Sequence, residues 1–169
     1  AEYLLSTARK QEIADIYLEF AEGYFSPAEK LKKPDYAKAL NFFSQALQVG
    51  PESERRALIQ LKIAKCLQHL KKHPEAIQRF QLLLKEHSKS PLCLEARFEI
   101  GQSYLAVNNF DQARRSYRDL LSEHAEADSE LLAEATYNIA LTYRMPHPNS
   151  AGRLDLGVTA LRNFIKTYG

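Results

Sequence analysis

Three side chains with metal-binding chemistry lie close together near the middle of the sequence. Cys66, His69 and His73 are three and four residues apart, so on one continuous helix they would share a face and could hold a soft metal ion. Pro74 follows His73 directly, however, and predicts that the helix ends before His73. No fourth ligand is evident. We therefore expect no metal site and no cofactor, and a module that binds metal through Cys66 and His69 is only a third hypothesis.

The other cysteine, Cys93, is not expected to form a disulfide with Cys66. On stacked helix pairs the two residues would lie near opposite ends of neighbouring helices, about 16 Å apart along the helix axis. A disulfide needs Cα atoms within about 7 Å of each other. The two thiols therefore leave the redox compartment undecided.

No motif in the sequence predicts catalysis. The chain has no G-x-S-x-G, no glycine-rich phosphate loop, no H-E-x-x-H and no paired carboxylates in a setting that would shift a pKa. We predict that it is not an enzyme and assign no catalytic residue.

Charge and hydropathy argue against a nucleic-acid partner and against a membrane span. Lys and Arg number 23 against 21 Asp and Glu, and basic clusters such as Arg114, Arg115 and Arg118 have acidic neighbours, so no nucleic-acid partner is expected. No apolar run approaches the roughly 20 residues of a membrane span.

The chemistry-bearing residues lie on a repeated pattern. An alanine followed four residues later by an aromatic residue recurs at spacings of 37, 37 and 47 residues. The pairs are Ala39 and Phe43, Ala76 and Phe80, Ala113 and Tyr117, and Ala160 and Phe164. Each follows a second helix-period segment with a small residue after a large one: Phe20-Ala21, Ile63-Ala64, Ile100-Gly101 and Ile139-Ala140. Because small residues let helices approach while aromatic residues fill the grooves, the unit is predicted to be a packed helix pair.

Turn signals divide the chain into about eight helices. Gly50-Pro51 is typical of a helix end, Pro74 and Pro91 of a first helical turn, and Asn109 of an N-cap. The predicted helices are 8–25, 35–49, 53–71, 74–87, 91–107, 110–123, 129–145 and 153–168. One pair cannot cover its own apolar face, so the pairs are expected to stack in an all-α array.

The third unit resembles the tetratricopeptide repeat, through Ile100-Gly101, Tyr104, Phe110, Ala113 and Tyr117. The leading tryptophan of that family is absent from all four units. The resemblance implies a right-handed superhelical solenoid of four helix pairs. We expect one domain over 1–169, as a fragment of a longer chain, with units at about 8–50, 51–88, 89–125 and 126–169.

The period of 37 residues and the linker 85–91 are similar to a subgroup in bacterial envelope proteins. That subgroup includes the outer-membrane-assembly lipoprotein and the Tol-Pal-associated coordinator. The resemblance implies a bacterial cell envelope or periplasm, with the cytoplasm left open.

Two insertions interrupt the period, at 25–34 and 144–153. Ser26 and Glu29 have the spacing of a capping box, so the first insertion is predicted to hold a short helix. We interpret both as tolerated insertions in preference to contact loops.

The resemblance also implies that the first helix of each unit lines a concave groove. The face opposite the packing residues predicts the following groove residues: Leu18, Glu22, Leu61, Lys65, Gln68, Phe98, Gln102, Leu105, Tyr137, Leu141 and Arg144. The row Leu18, Leu61, Phe98 and Tyr137 is apolar, with Phe98 and Tyr137 as expected anchors. The alternative is that this row packs against a neighbouring repeat.

These observations predict a non-enzymatic scaffold for protein–protein interaction that binds a peptide or protein segment in its concave groove. The alternative is a structural spacer or accessory domain of a larger envelope protein or enzyme. The sequence gives neither the partner nor the oligomeric state.

Overall fold

The computed structural model describes residues 7–28, 33–123 and 130–168. These residues form eight α-helices and no strand. The helices are α1 (Thr7–Phe25), α2 (Tyr36–Gln48), α3 (Ser53–His69), α4 (His73–Glu86), α5 (Leu92–Ala106), α6 (Phe110–Glu123), α7 (Glu130–Leu141) and α8 (Ala151–Tyr168). Apart from the end of α7, each end lies within two residues of its prediction, which confirms the all-α helical-repeat fold.

The chain divides into two compact units, Ala1–Cys93 and Leu94–Gly169. In the first unit α1 packs on α2, α2 on α3, and α3 on α4. In the second unit α6 packs on α7, and α7 on α8. The single domain of four repeats stays a prediction, and its boundary at 125/126 lies outside the described residues.

The alanine–aromatic pairs form the centres of the helix pairs. Three of the four pairs are fully buried, as their repeated pattern predicts. The buried pairs are Ala39 and Phe43, Ala76 and Phe80, and Ala113 and Tyr117. The fourth pair, Ala160 and Phe164 on α8, is only half-buried.

The turns within the second and third helix pairs are closed by main-chain hydrogen bonds. After α3, the amide of Lys72 donates to the carbonyl of Leu67 (2.9 Å) and the amide of Lys71 to that of Gln68 (2.9 Å), while Lys71 has a positive φ of 64°. This arrangement is a Schellman motif, which satisfies carbonyls that a helix end leaves without partners. The same bonds recur 37 residues later, where Asn108 has a φ of 59°.

The earlier end of α7 comes from a similar turn. Arg144 has a φ of 62°, and its amide donates to the carbonyl of Leu141 at 2.9 Å. Because a left-handed residue interrupts the helical path, the prediction that this helix reaches residue 145 is wrong. Next, the hydroxyl of Ser150 accepts a bond from the amide of Arg153 (3.3 Å), so α8 begins two residues before its predicted start.

Helix caps explain other starts. Asn109 accepts from the amide of Gln112 (3.4 Å), which confirms its predicted role as the cap of α6. Asp35 accepts from the amide of Lys38 (3.0 Å) and caps α2.

The insertion before α2 leaves the turn intact. The amide of Asp35 donates to the carbonyl of Tyr24 at 2.9 Å, in the register of the Lys72–Leu67 bond. Residues 26–28 are not helical, and 29–32 of the predicted short helix lie outside the described residues.

Candidate functional site

The predicted groove residues differ widely in exposure. Leu61 and Phe98 are buried, with 2% and 5% exposed, whereas Tyr137 is 42% exposed and Arg144 is also exposed. The remaining candidates are half-buried: Leu18, Glu22, Lys65, Gln68, Gln102, Leu105 and Leu141.

Phe98 belongs to the core of the second unit. Its ring centroid lies 5.9 Å from that of Tyr117, within a buried cluster that also contains Leu132 and Ala135 of α7. The expectation that Phe98 is an exposed binding anchor is therefore corrected. Leu61 is likewise too buried to form an open groove floor. Both residues therefore fit the alternative stated above, in which the row packs within the protein.

Glu22 is not an isolated acidic group on a groove rim. Its carboxylate lies 2.9 Å from the ammonium group of Lys62, which is itself 4.6 Å from the ring centroid of Phe25. The pair links α1 to α3. Because both side chains are partly exposed, we expect this link to orient the two helices more than to stabilise them.

A cleft of about 660 Å³ lies beside the first turns of α3 in the first unit, and we call it the α3 cleft. Its walls come from Ser53, Glu54, Ala57 and Leu58 of α3, from Glu86 at the end of α4, and from 87–92. Leu58 is 37% exposed and precedes Leu61, Lys65 and Gln68 by three, seven and ten residues, so it shares their face of the helix. That spacing was the signal by which the sequence could have identified Leu58.

Polar groups surround the α3 cleft. The amide of Gln60 donates to the carboxylate of Glu86 at 2.7 Å, and the hydroxyl of Ser53 lies 3.4 Å from Nδ1 of His87. The other ring nitrogen of His87, Nε2, is buried and has no hydrogen-bond partner in the described part of the chain. The cleft thus combines an apolar wall with acidic and imidazole groups.

The second unit presents its predicted groove residues differently. The exposed ring of Tyr137 on α7 packs edge-on against Phe164 of α8, with centroids 5.8 Å apart. Gln102 donates to Glu134 at 3.1 Å, and the guanidinium of Arg144 lies 5.4 Å from the ring centroid of Phe110. Tyr137 therefore has a supported ring and an accessible face.

Cys66 and His69, which the third hypothesis considers as metal ligands, have other surroundings. Burial raises the pKa of the Cys66 thiol to about 12, which disfavours the thiolate that binds metal. The ring of His69 stacks on Tyr36 at 4.0 Å, and α3 ends at His69, so the predicted helix break before His73 is confirmed. No group of three or more His, Cys, Asp or Glu side chains within 7–28, 33–123 and 130–168 could hold a metal ion.

Comparison with known families identifies the type of repeat. Two family models of the tetratricopeptide repeat match residues 59–90 and 98–145. The chain contains tetratricopeptide repeats. These matches cover the second and third predicted units and part of the fourth. No curated protein matches the sequence significantly.

Solved structures share the tetratricopeptide fold at low sequence identity. A MamA double mutant (RS-1) is 16% identical with a TM-score of 0.69, and the match covers 93% of this chain and 76% of that one. The apo form of RapI is 14% identical with a TM-score of 0.72, over 96% and 57%. A tetratricopeptide repeat protein from Parabacteroides merdae is 17% identical with a TM-score of 0.64, over 93% and 62%. At these identities the likeness concerns the fold alone.

The more specific resemblance to bacterial envelope proteins is not among these findings and stays a prediction. Of the eight helices in the part of the chain that the structure describes, none is long and apolar enough to cross a membrane.

Proposed function

We propose that this tetratricopeptide-repeat chain is a non-enzymatic scaffold that binds a peptide or protein segment along its first helices. Helical repeats of this kind present extended surfaces to protein partners. The observation that carries the proposal is the α3 cleft, since it opens on the helix face that holds Leu58, Lys65 and Gln68. A concave site with an apolar wall and a few polar groups is the usual form of a binding site.

The lining of the α3 cleft favours a particular ligand chemistry. Leu58, Pro91 and Leu92 offer apolar surface to a large aliphatic or aromatic side chain. The carboxylates of Glu54 and Glu86 outnumber the single ammonium group of Lys89 in the lining and favour a basic residue next to the apolar one. We therefore expect a segment in which an apolar side chain is adjacent to Lys or Arg.

Tyr137 is the second proposed contact, in the other unit. Its ring is held on one side by Phe164 and is 42% exposed, which is the form of a rigid aromatic anchor. Phe98 is not proposed as a contact because its side chain is buried in the core.

The experiment selects peptides from a random displayed library on the wild-type chain and measures their affinity by fluorescence anisotropy. Leu58→Lys should weaken a selected peptide at least about tenfold, because it places on the apolar wall a charge that also repels the expected basic residue. Val107→Lys is the matched control, since Val107 is 45% exposed and does not line the cleft. Circular dichroism checks that both variants are folded.

Two outcomes would count against the proposal. Either the library yields no peptide, or the selected peptides bind the wild type and Leu58→Lys equally. The chain is then better explained as the spacer or accessory domain of a larger protein. Tyr137→Ala tests the second contact separately, and it should weaken binding without lowering the melting temperature by more than a few degrees.

A further inference from the structure

One face of α1 exposes large apolar side chains. Ile16 and Phe20 are 54% and 55% exposed. With the row Leu18, Leu61, Phe98 and Tyr137 aligned, the positions that correspond to Ile16 are Ile59, Ala96 and Ala135, all of which are fully buried. The first helix of the array thus exposes a position that the other first helices bury.

The α6–α7 interface shows what covers this position elsewhere. Ala135 of α7 packs in a cluster with Tyr117 and Leu120 of α6. One turn further on, Asn138 donates to the hydroxyl of Tyr117 at 3.4 Å. This face of a first helix is therefore the one on which the preceding second helix packs, and on α1 it is uncovered.

α8 exposes the complementary face. With the alanines Ala113 and Ala160 aligned, Leu161, Ile165 and Tyr168 of α8 correspond to Arg114, Arg118 and Leu121 of α6. In α6 these positions contact α7 or the turn directly after it: Arg114 donates to Thr142 at 3.0 Å, Arg118 donates to Tyr143 at 3.1 Å, and Leu121 packs on the cluster containing Leu132 of α7.

On α8 the same positions are apolar, and two of the three are exposed. Ile165 is 63% exposed and Tyr168 is 40% exposed, whereas Leu161 is half-buried. Leu154 and Val158 extend the stripe at alternating spacings of four and three residues, which is the pattern of a helix that packs on another helix. α8 therefore has a face on which the first helix of another helix pair could pack.

The exposed faces of the two helices carry opposite charge. Of the four acidic residues of α1, Asp15 and Glu22 are ion-paired with α3, and the other two, Glu12 and Glu19, flank Ile16 on exposed positions. Within Ala151–Tyr168, α8 has three basic residues and one acidic residue, and Arg162 and Lys166 are exposed beside Ile165. This complementarity favours α1 against α8 over either helix against its own copy.

We propose that copies of this chain associate head to tail, with the α8 face of one copy on the α1 face of the next. Such a contact would reproduce the α6–α7 interface between molecules. Because it joins two different faces, it leaves one of each unused in a dimer, so the association extends beyond the dimer as the concentration rises. It does not involve the α3 cleft, so it stands independently of peptide binding.

The test uses the untagged chain and measures mass by analytical ultracentrifugation up to hundreds of micromolar. Ile16→Lys blocks the α1 face and Ile165→Glu blocks the α8 face, while Val107→Lys and Val107→Glu are the controls with equal changes of charge. The wild type and both Val107 variants should form assemblies that grow with concentration and shrink at high salt. Each blocked variant alone should stay at the monomer mass of 19.3 kDa.

Mixing the two blocked variants is the decisive step. Each variant keeps one intact face, and the two intact faces are complementary, so an equimolar mixture should give dimers and nothing larger. A wild type that is monomeric over the whole range would overturn the proposal, and either face would then be free or would belong to another protein. A blocked variant that still dimerises alone would also overturn it, because that result requires a face to pair with its own copy.

Discussion

Gly101 of α5 lies directly against the ring of Tyr117 of α6. A β-carbon on Gly101 would be 2.5 Å from Cε1 of that ring and 2.7 Å from Cζ, well inside the contact distance of two carbon atoms. The ring cannot move aside easily, since Tyr117 is fully buried and also packs against Phe98. Glycine at this position therefore sets how closely α5 approaches α6.

Gly101→Ala should lower the free energy of unfolding by about 1–3 kcal/mol, the usual cost of overpacking a core. Gly23→Ala is the control, because a β-carbon on Gly23 of α1 meets nothing within 4 Å. Since alanine is the better helix former, that substitution should be neutral or stabilise by about 0.5–1 kcal/mol. Urea unfolding compares the two, and equal effects would show that helix propensity alone decides.

The sequence predicted the helices well because their signals are local. Proline, glycine and capping residues fixed most ends, and the small residue at Gly101 marked the close helix pair. The end of α7 was missed because Arg144 takes a left-handed conformation that arginine rarely adopts. A glycine or asparagine at this position would have indicated the helix end.

The exposure of the groove row was harder to predict because it depends on which helices surround each position. Phe98 and Tyr137 have the same register in their repeats, yet Phe98 is buried and Tyr137 is exposed. Phe98 lies where α5, α6 and α7 meet. One feature of the sequence indicates that Phe98 is buried. α5 carries apolar residues on several faces, including Leu94, Ile100 and Tyr104, as expected of a helix buried on more than one side.

Lys71 is a second site where one substitution should change stability. It follows α3 with a φ of 64°, a conformation that costs a residue with a β-carbon about 1 kcal/mol. Lys71→Gly should therefore raise the free energy of unfolding by about 0.5–1 kcal/mol. Lys72→Gly, next to it, starts from a φ of −88° and should gain nothing. Thermal unfolding of both variants measures the difference, and a gain at Lys72 as well would point to the loss of a positive charge instead.

Arg114 joins α6 to the end of α7. Its guanidinium donates to the hydroxyl of Thr142 at 3.0 Å and to the carbonyl of Thr142 at 3.4 Å, and it lies 4.3 Å from the ring centroid of Tyr143. Thr142 is fully buried, so removing the arginine leaves its polar atoms with fewer partners.

Arg114→Ala should accordingly destabilise the second unit by about 1–2 kcal/mol. Arg115→Ala removes the same side chain from an exposed position beside it and should change stability by less than about 0.5 kcal/mol. Hydrogen exchange should show the loss at the end of α7. Similar losses in both variants would indicate that charge, and not the contact with Thr142, is responsible.

Asp35 makes the stability of α2 depend on pH. The amide and ammonium groups of Lys38 both donate to its carboxylate and lower the pKa of Asp35 below its ordinary value of 3.8, with the amide bond as the larger cause. Because the pKa of Asp35 is lower in the folded chain than in the unfolded chain, its carboxylate stabilises the fold at pH values above 3.8. That contribution is lost as the pH falls through the pKa of the folded state.

Asp35→Asn should therefore have a lower melting temperature than the wild type at neutral pH, and the difference should shrink as the pH falls below the ordinary aspartate pKa of 3.8. Asp119→Asn, an exposed position on α6, controls for the loss of one negative charge. Lys38→Met keeps the amide donor and removes only the ammonium group, so it should retain most of the pH dependence. If Lys38→Met flattens the profile as fully as Asp35→Asn does, the ion pair outweighs the helix cap.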